Sequence, residues 1–159
     1  MTPAPTQAYL NTLLLYYEEE IEGEAFFNGL AEWSEHPSQR EKLHLLAAVE
    51  DHAAKVTLPL IRKHGLIPRC EDDLFRSGRK MARKAAKPWG ALLAEFARVF
   101  PGYIEDFQRL EAMAPPEDLP RLKLLTEHEV AAVEFLNLEI SGEKNSVEPM
   151  MNYLRMDIE

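Results

Sequence analysis

Apolar residues recur at three- and four-residue spacing along most of the chain, and the period-two alternation of a half-buried strand is nearly absent. The pattern predicts an all-α protein, one domain over residues 1–159, built on four long helices. The first runs from about 6 to 33, beginning near Thr6 and ending near Trp33. The second is predicted over 38–64: Pro37 suits a first helical turn, and Ser38 to Glu41 has the spacing of a capping box. Pro59 predicts a kink in it, and Gly65 followed by Pro68 stops it. The third spans about 88–114, with a bend at FPGY (100–103) and an end at Pro115-Pro116. The fourth spans about 119–141 and stops at Gly142. Residues 66–88 form a long connection holding a short helix over about 72–85. The tail NSVEPMMNYLRM adds one more short helix, with Met150 and Met151 as packing residues. Short turns after the first and third helices imply two antiparallel hairpins, and the long connection between them implies a crossover.

Helical wheels at about 100° per residue place the side chains of each predicted helix. On the first, the stretch LYYEEEIEGEAFFNGLAEW (15–33) mixes glutamates with aromatics and leucines. Leu13, Tyr17, Glu24, Phe27 and Ala31 lie within about 60° of Glu20. Glu20 and Glu24 therefore fall inside the apolar stripe, whereas Glu18, Glu19, Glu22 and Glu32 read as solvated charges. On the second helix Glu50 shares a face with Leu43, Leu46, Ala53, Ala54, Thr57 and Ile61. His52 falls on nearly the opposite side, and His64 lies at the helix end near the carbonyl dipole. On the fourth, His128 is central among Leu124, Leu125, Ala131, Ala132 and Phe135, with Glu127 and Glu129 at the edges, about 100° to either side. The third helix has an aromatic stripe, Trp89, Phe96, Phe100, Tyr103 and Phe107 among it, and no central carboxylate.

Counting outward from the turns sets heights along the bundle. Glu20 and Glu50 are equally far from the turn at His36-Pro37, and His128 stands opposite Tyr103 across Pro115-Pro116. One layer thus collects Glu20, Glu24, Glu50, His128 and Tyr103. An unpaired buried carboxylate is costly, so three in one layer need protons, cationic partners or a metal. Carboxylates with imidazole suit iron, manganese or zinc in a bundle interior. The alternative is a metal-free network in which Tyr103 or His128 donates the hydrogen bonds.

Charge and composition narrow the function classes. A formal net charge of −9 argues against a general nucleic-acid binder, which needs a basic surface. Cys70, the one cysteine, excludes an intrachain disulfide framework and a cysteine-based metal cluster, and fits a reducing compartment. No signal-like segment or membrane-length apolar run is seen, so no membrane association and a cytoplasmic location are expected. The basic stretch at 76–87 reads as a solvated crossover helix or as a receiver of an anionic partner. Tyr16, Phe26 and Trp33 exceed what one bundle seam needs and predict a homodimer face, crossover packing being the alternative. No phosphate-binding glycine loop, nucleophile elbow or zinc-protease motif is present.

These segments resemble the ferritin-like superfamily of di-iron carboxylate proteins, the group of rubrerythrins, ferritins and di-iron hydroxylases, over about residues 6–141. EIEGEAFFNGLA resembles the first-helix segment whose leading glutamate, here Glu20, is a metal ligand. LAAVEDHAAKV places Glu50 at the second-helix ligand position, and LLTEHEVAAVEF places His128 at the histidine position. The family's Glu-x-x-His pairs are missing, since Ala53 and Leu125 stand where a histidine and a glutamate belong, and Tyr103 replaces the third-helix glutamate. The resemblance implies a ferritin-like bundle with a reduced site made of Glu20, Glu24, Glu50 and His128: mononuclear, altered dinuclear or abolished. With iron bound, or manganese or zinc in its place, it implies a metal protein that is an oxidoreductase if the metal is redox-active, with Tyr103 as donor or electron relay. Without metal it implies a binding or interaction module whose buried layer is a hydrogen-bond network.

Overall fold

The computed structural model describes residues 3–156, which form six α-helices and no strand among the described residues. Helix α1 spans Gln7–Trp33, and the Thr6 side chain caps it by accepting the Tyr9 amide at 3.1 Å. Helix α2 spans Pro37–Lys63 with His36 at its cap. The capping box read at Ser38–Glu41 does not start it: Pro37, whose φ is preset for a first helical turn, moves the start one residue earlier. The helix is continuous through Pro59 and closes at Gly65, whose φ of 65° is the left-handed conformation a helix stop requires.

Helix α3 spans Glu71–Ala85, with acidic residues in its first turn and Arg83 and Lys84 in its last, as the helix dipole favours. Helix α4 spans Trp89–Met113 and runs through Pro101. A short 3-10 turn, Pro116–Asp118, leads into α5, Leu119–Ile140, and α6 covers Glu148–Leu154.

Helix α1 packs on α2 and α3, α4 packs on α5, and α2 and α6 both cover α5. Helix α3 follows α1 in the same direction. Ser77 Oγ donates to Glu22 at 2.6 Å, and a Cβ built on Gly29 would stand 2.8 Å from that of Ala82. Gly78 permits this closeness, since a Cβ there would fall 2.2 Å from the Glu22 carbonyl oxygen.

The buried apolar side chains divide into two clusters. One holds Phe27, Val49, Phe96, Phe100, Ala131 and Phe135, with Met150 and Tyr153 from α6; the other holds Tyr9, Tyr17, Ala53, Ile61, Phe107 and Leu125. In every main helix the boundary falls at a polar or amphipathic residue: Glu20 between Tyr17 and Phe27, Glu50 between Val49 and Ala53, Tyr103 between Phe100 and Phe107, and His128 between Leu125 and Ala131. A polar layer thus crosses the middle of the bundle. No described helix is long and apolar enough to cross a membrane.

Candidate metal centre

Three side chains from three helices converge in that layer. His128 Nε2 of α5 lies 2.9 Å from Glu20 Oε2 of α1 and 3.4 Å from Glu50 Oε2 of α2. One ligand atom from each of the three falls within 4.8 Å of the others. On its other edge His128 donates Nδ1–H to the Leu125 carbonyl, which fixes the ring so that Nε2 faces the carboxylates. Phe107 packs against the imidazole, with ring centroids 5.2 Å apart.

The convergence is not a set of satisfied hydrogen bonds. Although Nε2 and Glu20 Oε2 come within 2.9 Å, their approach lacks hydrogen-bond geometry, and both atoms are buried without a partner. Glu129 Oε1 is in the same condition. Buried polar atoms left without hydrogen-bond partners in one layer are what a shared cation would satisfy.

Glu129 is the residue the wheel misplaced. It was read at the edge of the stripe, yet it is 4 % exposed, and its Oε2 stands 3.6 Å from His128 Nε2. Helix α5 is packed upon by α2, α4 and α6, so its buried arc is wider than one stripe. Glu18 was likewise read as solvated and is buried: it accepts the Arg69 backbone N–H at 2.7 Å where the connection into α3 covers α1.

Two expected members lie elsewhere. Glu24, one turn beyond Glu20, turns toward α2. Burial, together with Asp51 and Glu71, pushes its carboxyl up to about 7. Tyr103 is 44 % exposed and lines the cavity beside the cluster without joining it. Burial, with the carboxylates of Glu129, Glu19, Glu50 and Asp106, pushes its phenol above the ordinary range, so it stays a proton donor. Tyr153 of α6, which the sequence pattern does not single out, stands beside His128 with ring centroids 6.3 Å apart, its hydroxyl buried and unpartnered.

Electrostatics follow from this crowding. Burial and Glu20 drive the Glu50 carboxyl well above its usual range, against the pull of His128. Burial alone would lower His128, but the Glu20 and Glu50 carboxylates outweigh it and raise the imidazole well above its usual value. Burial pushes Glu129 up to about 8, against His128 and with Glu50. Protons hold the layer together when nothing else does.

The cluster forms part of the wall of a half-open cavity of about 810 Å³ between α1 and α4, bordered at one end by the C-terminal part of α3. Glu20, Glu50 and Glu129 line one end, and Phe26, Phe27, Phe96 and Phe100 wall the other. Two of the three aromatics read as a dimer face have partners within the chain: Phe26 packs on Phe27 and Phe96, and Tyr16 meets Phe107 edge-on at 5.2 Å. Trp33 remains 59 % exposed. Compared with known family models, with curated proteins and with solved structures, the chain matches none.

Proposed function

We propose that the protein is a metal-binding helical bundle of the ferritin-like kind, holding one divalent transition ion at Glu20, Glu50 and His128, with the Glu129 carboxylate next to it. The observation that carries this reading is the convergence of Glu20, Glu50 and His128, with His128 Nε2 and Glu20 Oε2 buried and without hydrogen-bond partners. The donor types suit iron, with manganese or zinc as substitutes. Three helices supply the donors, and the Nδ1–H bond to Leu125 orients the imidazole. The two hairpins and the parallel course of α3 beside α1 support the ferritin-like assignment.

A bound iron would supply one-electron redox chemistry beside the cavity, which makes the protein a candidate oxidoreductase. The chain's own residues would do the rest. Glu20, Glu50 and His128 hold the ion, Tyr103 keeps a phenolic proton at the cavity mouth, and Phe107 with the aromatic wall keeps bulk water from the imidazole.

A metal-free binding module is the second reading. Ala53 and Leu125, both 0 % exposed, are apolar where the Glu-x-x-His pairs would add ligands. Under that reading, protons shared among Glu50, His128 and Glu129 stabilise the layer.

Elemental analysis of protein purified without chelators separates the two. About one ion per chain, lost in both Glu50→Ala and His128→Ala, is expected. Substoichiometric metal unchanged by either substitution would overturn the metal reading.

A further inference from the structure

The cavity beside the cluster has two chemically different ends. Its length runs along α1, from Tyr16, Glu19, Glu20 and Phe107 at one end to Lys84 and Lys87 at the other. Between them Phe26 and Phe27 of α1 face Phe96 and Phe100 of α4, with Glu22 and Glu95 also on the lining. So large a cleft is not needed to admit a hydrated metal ion; with its aromatic middle it suits an organic body.

Charge pairing sets the direction in which such a body lies. Three of the seven carboxylates lining the cavity have partners outside the cluster: Glu22 takes Arg69 and Ser77, Glu95 takes Arg98, and Asp106 takes Arg109, whereas Glu19 makes no ion pair among the described residues. Glu20, Glu50 and Glu129 belong to the cluster. Lys84 and Lys87 make no ion pair among the described residues, although both border the cavity. Lys84 also suits the last turn of α3, but Lys87 lies beyond the helix and serves no dipole. The unneutralised charge is therefore cationic at the lysine end and anionic at the end that holds Glu19 and the cluster.

We infer that this cavity binds an elongated organic anion, an alkyl or aryl body carrying one carboxylate or phosphate group, with its head on Lys84 and Lys87 and its far end beside Glu20, Glu50 and Glu129. Ala82 lies against Gly29, nine residues along α1 from Glu20. At ~1.5 Å per residue, Ala82 stands about 14 Å and Lys84 about 17 Å from the cluster along the bundle, with Lys87 beyond the helix end. That span sets the length of the body. The inference deepens the metal reading by naming what the site faces, so ion and ligand are measured separately.

The test is calorimetric titration of the whole chain with dodecanoate, dodecyl phosphate, dodecanol and dodecyltrimethylammonium. The two anions are expected to bind about tenfold or more tighter than the neutral and cationic probes, and their ratio distinguishes the headgroup. The double variant Lys84→Gln/Lys87→Gln, both positions being exposed, is expected to fold normally, bring the anions down to the dodecanol level and leave dodecanol unchanged. Equal binding of all the probes, or anion binding indifferent to the lysines, would overturn the inference. Cobalt(II) loading supplies the separate readout: a visible spectrum that shifts on adding dodecanoate supports the inference, and a loaded site with no shift and no heat rejects it while the metal reading stands. Lysine-dependent dodecanoate binding in a chain that takes up no cobalt supports the cavity assignment and rejects the metal.

Discussion

Gly23 leaves the space into which Glu50 reaches: a Cβ built on Gly23 would stand 3.0 Å from Glu50 Cδ and 3.3 Å from its Oε1. The glycine lies within α1, where alanine would favour the helix by up to ~1 kcal/mol. Gly23→Ala is therefore expected to melt at the same or a higher temperature while its metal affinity falls about threefold to tenfold, because the carboxylate must retreat by a few tenths of an ångström. Parallel melting curves and metal titrations check this. A variant that loses stability and keeps its affinity would show that Gly23 serves helix packing alone.

Metal affinity is expected to rise with pH. In the metal-free chain His128 is held protonated by Glu20 and Glu50 against its burial, and burial pushes the Glu129 carboxyl up to about 8. An ion needs the imidazole lone pair, so binding displaces protons, and the dissociation constant should drop about tenfold per pH unit for each proton released. Zinc competition against a chromophoric chelator between about pH 6 and pH 8 measures the slope. A flat profile would mean that the ion does not take these groups.

A second polar cluster ties the opposite end of the bundle. Asp118, 0 % exposed, accepts from Tyr9 Oη at 2.6 Å, Lys63 Nζ at 2.6 Å and His64 Nε2 at 2.7 Å, joining α1, the end of α2 and the turn before α5. Burial would raise its carboxyl, but the hydrogen bonds from Lys63, Tyr9 and His64 outweigh it and hold it below the usual carboxylate range. A depressed folded value means that the stabilisation is full above the unfolded value of ~3.9 and is lost as pH falls through the lower folded value. Asp118→Asn should cost roughly 2 kcal/mol at neutral pH, with the exposed Lys63 contributing little of it. Urea midpoints of the two proteins should begin to approach each other near about pH 4 and converge only below the lower folded value.

At Gly78 sterics oppose propensity. A Cβ there would lie 2.2 Å from the Glu22 carbonyl oxygen and 2.8 Å from Ala25 Cβ, so Gly78→Ala must push α3 from α1 despite its better helix propensity. A loss of about 1–3 kcal/mol is expected. Thermal melting of Gly78→Ala beside Gly90→Ala, where a Cβ meets nothing within 4 Å, isolates the effect.

The helices were legible in the sequence because apolar spacing, prolines and glycines act locally. Gly65 and Gly142 stop α2 and α5 with positive φ where the sequence predicts it, and Thr6 begins α1. Glu20, Glu50 and His128 were legible as inward-facing polar residues, though the same stripe also carried Glu24, which the wheel could not tell apart from them. Glu129 and Tyr153 were not, because a wheel assumes one buried arc per helix and knows nothing of a neighbour from the tail.

By itself the sequence determined an all-helical chain, the extent of its main helices and a polar layer read as Glu20, Glu24, Glu50, His128 and Tyr103, of which three meet, all consequences of periodicity and of the free-energy cost of burying charge. Only the tertiary structure decided that Glu129 joins them while Glu24 turns to Asp51 and Tyr103 stays at a cavity mouth. Those outcomes depend on how closely α3 approaches α1 and how far α4 stands from it. Such distances are set by glycine contacts and aromatic packing between segments far apart in the chain, which no local pattern encodes.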